Sequence, residues 1–240
     1  MKRALLAVMV VLLCLVTLVT PAKADIEQKT EVINAINDNT LIESPTGALS
    51  NGTGTSFFVG RTNQPTNSIR RSLIAFDIAG KIPACSTVKS VKLSLSLERT
   101  AASSQPIELH RVLKNWGEGS SRSQGSRGEP AAKGDATWIH TFYDTDTWAN
   151  PGGDFSTTVS AVQTVSGMGT YTWGSTSEMV ADVQAWLDSP NENFGWLLLG
   201  NEAAPKTAKR FASRHNADTS AQPQLRVNFL PKIGSKAPSL

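Results

Sequence analysis

The chain has 240 residues, 40% of them apolar and 18% charged, with 18 glycines and 12 prolines. This composition excludes collagen and a disordered chain, and the length suffices for one sizeable core. The formal charge of +3 traces to Lys2, Arg3 and Lys23; beyond them the chain has as many bases as its 20 acids, so no charge excess points to nucleic acid.

Lys2 and Arg3 precede an apolar run from Ala4 to Val19, and Ala22 and Ala24 flank Lys23. That is the pattern of a secretory signal peptide over residues 1–24, cut before Asp25. It predicts a secreted protein of the extracellular space or cell envelope, with no membrane attachment after cleavage. An uncleaved anchor helix is the alternative. Val11-Leu12-Leu13 before Cys14 is not the small-residue context that lipidation needs. Cys85 is then the single cysteine of the mature chain, so no internal disulfide is expected, and burial as a small hydrophobe is.

Strands dominate the rest. Asn51-Gly52 and Gly54 predict a turn before a short strand at Phe57-Phe58-Val59. Asn51-Gly52-Thr53 also has the acceptor pattern for N-glycosylation. After Arg70-Arg71, Ile74, Phe76 and Ile78 alternate. Val91, Leu93, Leu95 and Leu97 alternate with Lys92, Ser94 and Ser96, the period of a half-buried strand. Ile107 to Val112 is a further candidate. Gly117 to Gly134, rich in Gly, Ser and Arg, is expected as one long mobile loop inside the domain.

One segment reads as a helix. Met179, Val183, Trp186 and Leu187 fall on one face, Ser175 and Glu178 have capping-box spacing, and Pro190 ends the element. Phe194 to Leu199 reads as a buried central strand, and Leu225, Val227 and Phe229 alternate near the C-terminus. Many strands and one short helix predict an all-β fold, a β-sandwich, in one domain over residues 25–231. Residues 232–240 are expected to be a disordered tail.

The common hydrolytic motifs are missing: no G-x-S-x-G, no H-E-x-x-H and no Walker A loop. The histidines are His110, His140 and His215. A glycosidase pair would have to come from Asp144, Asp146, Asp154, Glu118, Glu178 or Glu202; capping of turns is the alternative. Asp144-Thr145-Asp146 resembles the start of a calcium loop, so a structural calcium would draw on Asp144, Asp146 and Asp154.

The most unusual stretch is Gly134 to Phe155. It gathers Trp138, His140, Phe142, Tyr143 and Trp148 with four aspartates and Pro151-Gly152-Gly153. In a strand, Trp138, His140 and Phe142 would share one face. Aromatic faces beside carboxylates and amides suit sugar rings. Trp138, His140, Tyr143 and Trp148 are therefore the candidate carbohydrate contacts, with Trp116 next; filling the core is the alternative for each tryptophan.

Several blocks in order, LSNGTGTSFFVGRT from Leu49, IRRSLIAFDIAGKIP from Ile69, IELHRVLKNWGEGSS from Ile107, the Gly134–Phe155 block, MVADVQAWLDSPNENFGWLLLGNEA from Met179 and AKRFASR from Ala208, resemble the DNRLRE-domain family, also described as disaggregatase-related. The resemblance covers about Asp38 to Leu230 and is to short secreted stand-alone members. It implies a jelly-roll β-sandwich and a non-catalytic binding or adhesion role. The partner it implies is an extracellular polysaccharide or cell-surface glycan, acidic glycans among them. The late family motif F-D-S-R-E matches Phe211 to His215, with Ala212 and His215 where acids usually stand. Arg214 in that motif is a candidate ligand contact or a half-buried guanidinium with a carboxylate partner. Cys85 stands where a glycine or another small turn residue is expected. The rival readings are a structural interaction protein of the envelope and a polysaccharide hydrolase or lyase.

Overall fold

Alternating apolar residues along long segments make strands, and a computed structural model shows how they close. It describes residues 27–232. The expected signal peptide and the tail from residue 233 lie outside the described residues. In chain order the strands are β1 (Lys29–Ile42), β2 (Leu49–Ser50), β3 (Ser56–Arg61), β4 (Ile69–Phe76), β5 (Thr87–Thr100), β6 (Gln105–Val112), β7 (Glu129–Pro130), β8 (His140–Phe142), β9 (Asp146–Thr147), β10 (Phe155–Val165), β11 (Gly169–Gly174), β12 (Trp196–Leu199), β13 (Lys209–Ala212) and β14 (Gln224–Leu230). One helix, α1 (Ser177–Asp188), lies between β11 and β12.

Strands β1 and β3 change partner along their length. The first half of β1 pairs with β14, and its second half pairs with β4 from Ala35 onward, with a bulge between Ala35 and Asn37. Residues Ser56 to Val59 of β3 pair with β13, while Gly60 and Arg61 pair with β4. These switches close a ring in the order β1, β14, β5, β13, β3, β4 and back to β1. Strands β12, β6 and β10 extend the ring from β4, and β11 pairs with β5. The fold is all-β, with one α-helix among the described residues; its connectivity is a closed six-strand ring with added strands, where the resemblance implied a jelly roll.

The main core fills the ring. Val91, Leu93, Leu95 and Leu97 point inward, as their alternation requires, and meet Leu225, Val227 and Phe229 of β14. Phe57 stacks on Phe211 at 5.6 Å, and Trp186 meets Trp196 edge-on at 4.6 Å. Helix α1 seats Met179, Val183, Trp186 and Leu187 in this core. Its N-cap is Thr176, whose hydroxyl accepts from the Met179 N–H at 3.1 Å. Ser175, expected as the cap, lies one residue too early and accepts from the Val91 N–H instead.

A second, smaller cluster covers the outer face of β1, β4, β12 and β6. Leu41, Leu73, Ala75, Val112 and Leu197 supply its floor, and Trp116 and Trp148 its roof. The segment expected as a mobile loop is tied down. Asn51 Oδ1 accepts from the Ser123 N–H at 2.9 Å, and Asp135 Oδ1 accepts from the Ser120 N–H at 2.6 Å. Asn51 is 1% exposed and its amide donates to the Ser56 carbonyl, so it is not open to glycosylation. Cys85 is exposed, not buried, at φ +61° in the left-handed region that favours glycine.

Lys209 is 1% exposed. Its ammonium donates to the carbonyls of Ala102, Ser103 and Ser166 at 3.2, 2.9 and 3.1 Å, joining the β5–β6 turn to the β10–β11 turn. Burial pulls its pKa below the ordinary lysine value. Lys209→Ala strands three buried carbonyls and is expected to cost about 3 kcal/mol in urea unfolding. Lys206→Ala, at an exposed neighbour, is expected to stay within about 0.5 kcal/mol of the parent. Equal, small effects of the two would show that the buried ammonium is not holding the turns.

Candidate functional site

The outer cluster decides which aromatics can meet a ligand. Gly134 to Phe155 does not run as one strand; before Phe155 opens β10, only His140 to Phe142 pairs, with Asp146 and Thr147 of β9. Thr137 turns the chain before it, its hydroxyl accepting from the Ile139 and His140 N–H groups. Trp116 and Trp148 are each 4% exposed. Their indole N–H groups donate to the carbonyls of Phe194 at 2.8 Å and Thr137 at 2.9 Å. Both expected contacts are therefore roof beams of the second core, with neither ring face open. His140 and Tyr143 remain half-buried and meet edge-on at 5.2 Å, and His140 Nδ1 lies 3.0 Å from the Thr137 hydroxyl.

Trp138 is the half-buried tryptophan. The Arg71 guanidinium sits 5.0 Å from its ring centre and 5.5 Å from that of Phe155, a double cation–π contact. Arg71 is fixed by a two-point bond to the Glu202 carboxylate at 2.7 and 3.0 Å and by the Gly152 carbonyl at 3.0 Å. Gly152 has φ +91°, and a Cβ there would lie 2.6 Å from Arg71 Nη1 and 2.9 Å from the Trp138 ring. Only glycine lets the chain pass so close.

Beside Trp138 lies a shallow cavity of about 270 Å³, walled by Pro45, Ile139 and Pro151 and by the polar Glu43 and Asn67. A neighbouring cavity of about 310 Å³ shares Glu43 and Asn67 and adds Gln64, Arg70 and Arg127. Arg70 is the fixed part of this wall. It is 1% exposed and donates to the carbonyls of Ser126, Asn67 and Ile69 and to Gln64 Oε1. Burial lowers its pKa to about 10, against a smaller opposing pull from Glu43, so it stays charged. Across the residue 124–126 loop, a third cavity of about 320 Å³ is lined by Phe58, Arg99, Gln124 and Arg210. Arg210 pairs with Glu98 at 3.0 Å. Arg99, Arg122 and Arg127 are exposed, and none forms an ion pair among the described residues. Arg99 and Arg127 thus bring cations without ion-pair partners among the described residues to the two cavities on either side of the residue 124–126 loop.

Arg214 belongs to a different cluster. Its guanidinium forks onto Glu118, with Nε 2.5 Å from Oε1 and Nη2 bonded to Oε2. Glu118 Oε1 also accepts from the Asp38 N–H at 2.8 Å, and Asp38 Oδ2 accepts from the Arg214 N–H at 2.6 Å. The Glu118 carbonyl takes a bond from Asn39 Nδ2 at 2.8 Å and would lie 1.9 Å from a Cβ on Gly52. His215 Nε2 is buried without a hydrogen bond among the described residues, 3.6 Å from Glu118 Oε1. The cluster ties four segments that are distant in sequence. Asp38 is 1% exposed and cannot reach a polysaccharide.

The three aspartates proposed for calcium are not brought together as a donor set. Asp154 spends both oxygens on the Ala149 and Asn150 N–H groups, at 2.7 and 2.9 Å. Asp144 sits in a turn at φ +65°, and Asp146 lies on β9. Among the described residues, no group of three or more His, Cys, Asp or Glu side chains is placed to hold a metal ion. No local sequence signal marks Glu43 and Asn67 as site residues, because they come beside Trp138 from remote positions, and Arg127 of the 117–134 segment joins them only through the neighbouring cavity. The Arg70-Arg71 pair was the one local signal, since alternation must send the two to opposite faces.

No protein-family model matches this chain, and no curated protein matches it.

Burial is the largest influence on Asp38 and raises its pKa from 3.8 to about 7; repulsion by Glu118 adds to this, while the Arg214 N–H and charge oppose it. The folded state therefore holds this proton more tightly than the unfolded chain. Stability from Asp38 is full below pH 3.8 and is lost as pH rises through about 7. Asp38→Asn keeps an acceptor for the Arg214 N–H and removes the ionisation. In denaturant titrations from about pH 5 to 8, the variant is expected to lose the decline in stability that this group gives the parent. An unchanged pH slope would refute the burial argument.

Proposed function

We propose that this chain is a secreted, non-catalytic glycan-binding protein whose ligand lies along the Trp138 cavity and its Arg127-bearing neighbour. The observation that carries the reading is the placing of Trp138. Its partly open ring adjoins a shallow apolar cavity whose far wall is carboxylate and amide, which is the mixture a sugar ring needs: C–H groups on apolar surface and hydroxyls on polar atoms. Exposed Arg127 and Arg99, which line the neighbouring cavities and form no ion pair among the described residues, favour a glycan carrying carboxylate or sulfate groups. The resemblance to DNRLRE domains agrees with a binding role, and the basic N-terminal apolar segment agrees with secretion.

The test is binding to a panel of neutral and acidic polysaccharides at low and high salt. One acidic class is expected to bind, weakening as salt screens the exposed arginines. Trp138→Ala is expected to reduce affinity about tenfold, the size of one aromatic contact. Arg127→Ala, at an exposed position that cannot unfold the chain, is expected to weaken binding and flatten the salt dependence. Binding that ignores both substitutions, or no binding across the panel, would turn the reading toward a structural envelope protein.

A further inference from the structure

Away from the Trp138 face, a cavity of about 370 Å³ opens between α1 and the edge strand β10, and it shares no lining residue with the cavities described above. Its walls carry Arg111, Ser156, Thr158, Ser160, Glu178 and Asp182. Strand β10 is irregular here: its register against β6 shifts between Phe155 and Val159 and again between Val159 and Ala161. Such bulges re-aim side chains and release backbone groups from the ladder. His110, 4% exposed, takes up one of these groups, with Nδ1 2.9 Å from the Ser156 carbonyl.

Asp182 is held rigidly and half used. Its Oδ2 accepts from the Ser160 hydroxyl at 2.6 Å and from the Trp196 indole at 2.9 Å. Its Oδ1 takes no hydrogen bond among the described residues, although the side chain is only 13% exposed. Arg111 Nε lies 3.7 Å from that oxygen, and the guanidinium makes no other polar contact among the described residues. The gap is too long for a hydrogen bond. It suits a bound hydroxyl that donates to the carboxylate and accepts from the guanidinium. The Thr158 hydroxyl, on the wall of the same cavity, takes no hydrogen bond among the described residues, and the Ser156 hydroxyl accepts from the Thr158 N–H.

We infer that this cavity is a second binding site, for a neutral sugar residue that presents adjacent hydroxyl groups. Charge sets the class: Glu178 and Asp182 outnumber Arg111, so the site repels the carboxylate or sulfate groups that the arginine-rich face favours. The Arg111 donor and the Asp182 acceptor, with the Thr158 hydroxyl on the same wall, match a diol. The inference does not rest on the Trp138 reading. With both sites filled, one chain would bridge two strands of a mixed polysaccharide, which raises avidity without new contacts.

The test is a titration of the isotope-labelled protein with cellotetraose, mannotetraose and an oligogalacturonate, followed by amide NMR. A neutral probe is expected to shift the amides of Ser156 to Ser160 and of Ala181 to Ala185, and the acidic probe is not. Arg111→Met, at a half-exposed side chain, is expected to weaken that binding at least tenfold, and Thr158→Val several-fold. Trp138→Ala is expected to leave these shifts in place. Shifts confined to the Trp138 side would overturn this inference and leave the proposed function standing. Shifts confined to the α1–β10 cavity would support the inference and sink the proposed function. No shift at either place, or full affinity in Arg111→Met, would overturn the second site.

Discussion

The outer face of β1, β4, β12 and β6 is apolar, and something has to cover it. Leu41, Leu73, Ala75 and Leu197 are buried there, although they point away from the main core. Leaving that face wet would forfeit roughly 25 cal/mol per Å². The chain from Trp116 to Phe155 supplies the cover, and this consumes Trp116 and Trp148. Their indole N–H groups then need buried acceptors, which Phe194 and Thr137 provide. The one tryptophan that remains at the rim is Trp138, gripped by Arg71 and pressed on Gly152. The accessible aromatic is thus a by-product of closing the second core, and its position is as fixed as that core.

Polar hubs do the corresponding work for the loops. Lys209 and Arg70 are buried cations that are satisfied mainly by carbonyl oxygens. Glu118 and Arg214 form the one fork that reaches Asp38 on β1. Removing any one member leaves a buried charge or carbonyl unpaired, and that asymmetry makes the loops rigid. Acids are drawn into such contacts, as Glu98, Glu118 and Glu202 show. The arginines of the 122–127 loop and Arg99 are left without ion-pair partners among the described residues. Arg99 and Arg127 therefore leave positive charge at the cavities beside the residue 124–126 loop.

Periodicity made much of the fold legible. The Val91–Leu97 and Leu225–Phe229 alternations mark strands that lie side by side, and the Met179–Leu187 spacing marks the helix face. Local signals failed where the partner is remote. The 117–134 segment looks like a mobile loop because its bonds go to Asn51, Asn39 and Arg70, dozens of residues away. Cys85 drew two readings, and its left-handed backbone supports the turn and not the buried hydrophobe. For the tryptophans, composition indicated a cluster but not its direction. Alternation breaks at Thr137, and only the sheet beneath decides which rings turn inward. Arg214 was legible as a paired guanidinium; its partner Glu118 was not, since it lies 96 residues away in sequence.

The central claim is that one tryptophan faces the ligand. Five of the chain's six tryptophans, Trp116, Trp148, Trp173, Trp186 and Trp196, are at most 4% exposed. Mild oxidation with N-bromosuccinimide, read by mass spectrometry of peptides, tests this directly. The account predicts that Trp138 reacts first and alone, and that a bound glycan protects it. Reaction at several tryptophans at once, or glycan binding that leaves Trp138 fully reactive, would contradict it.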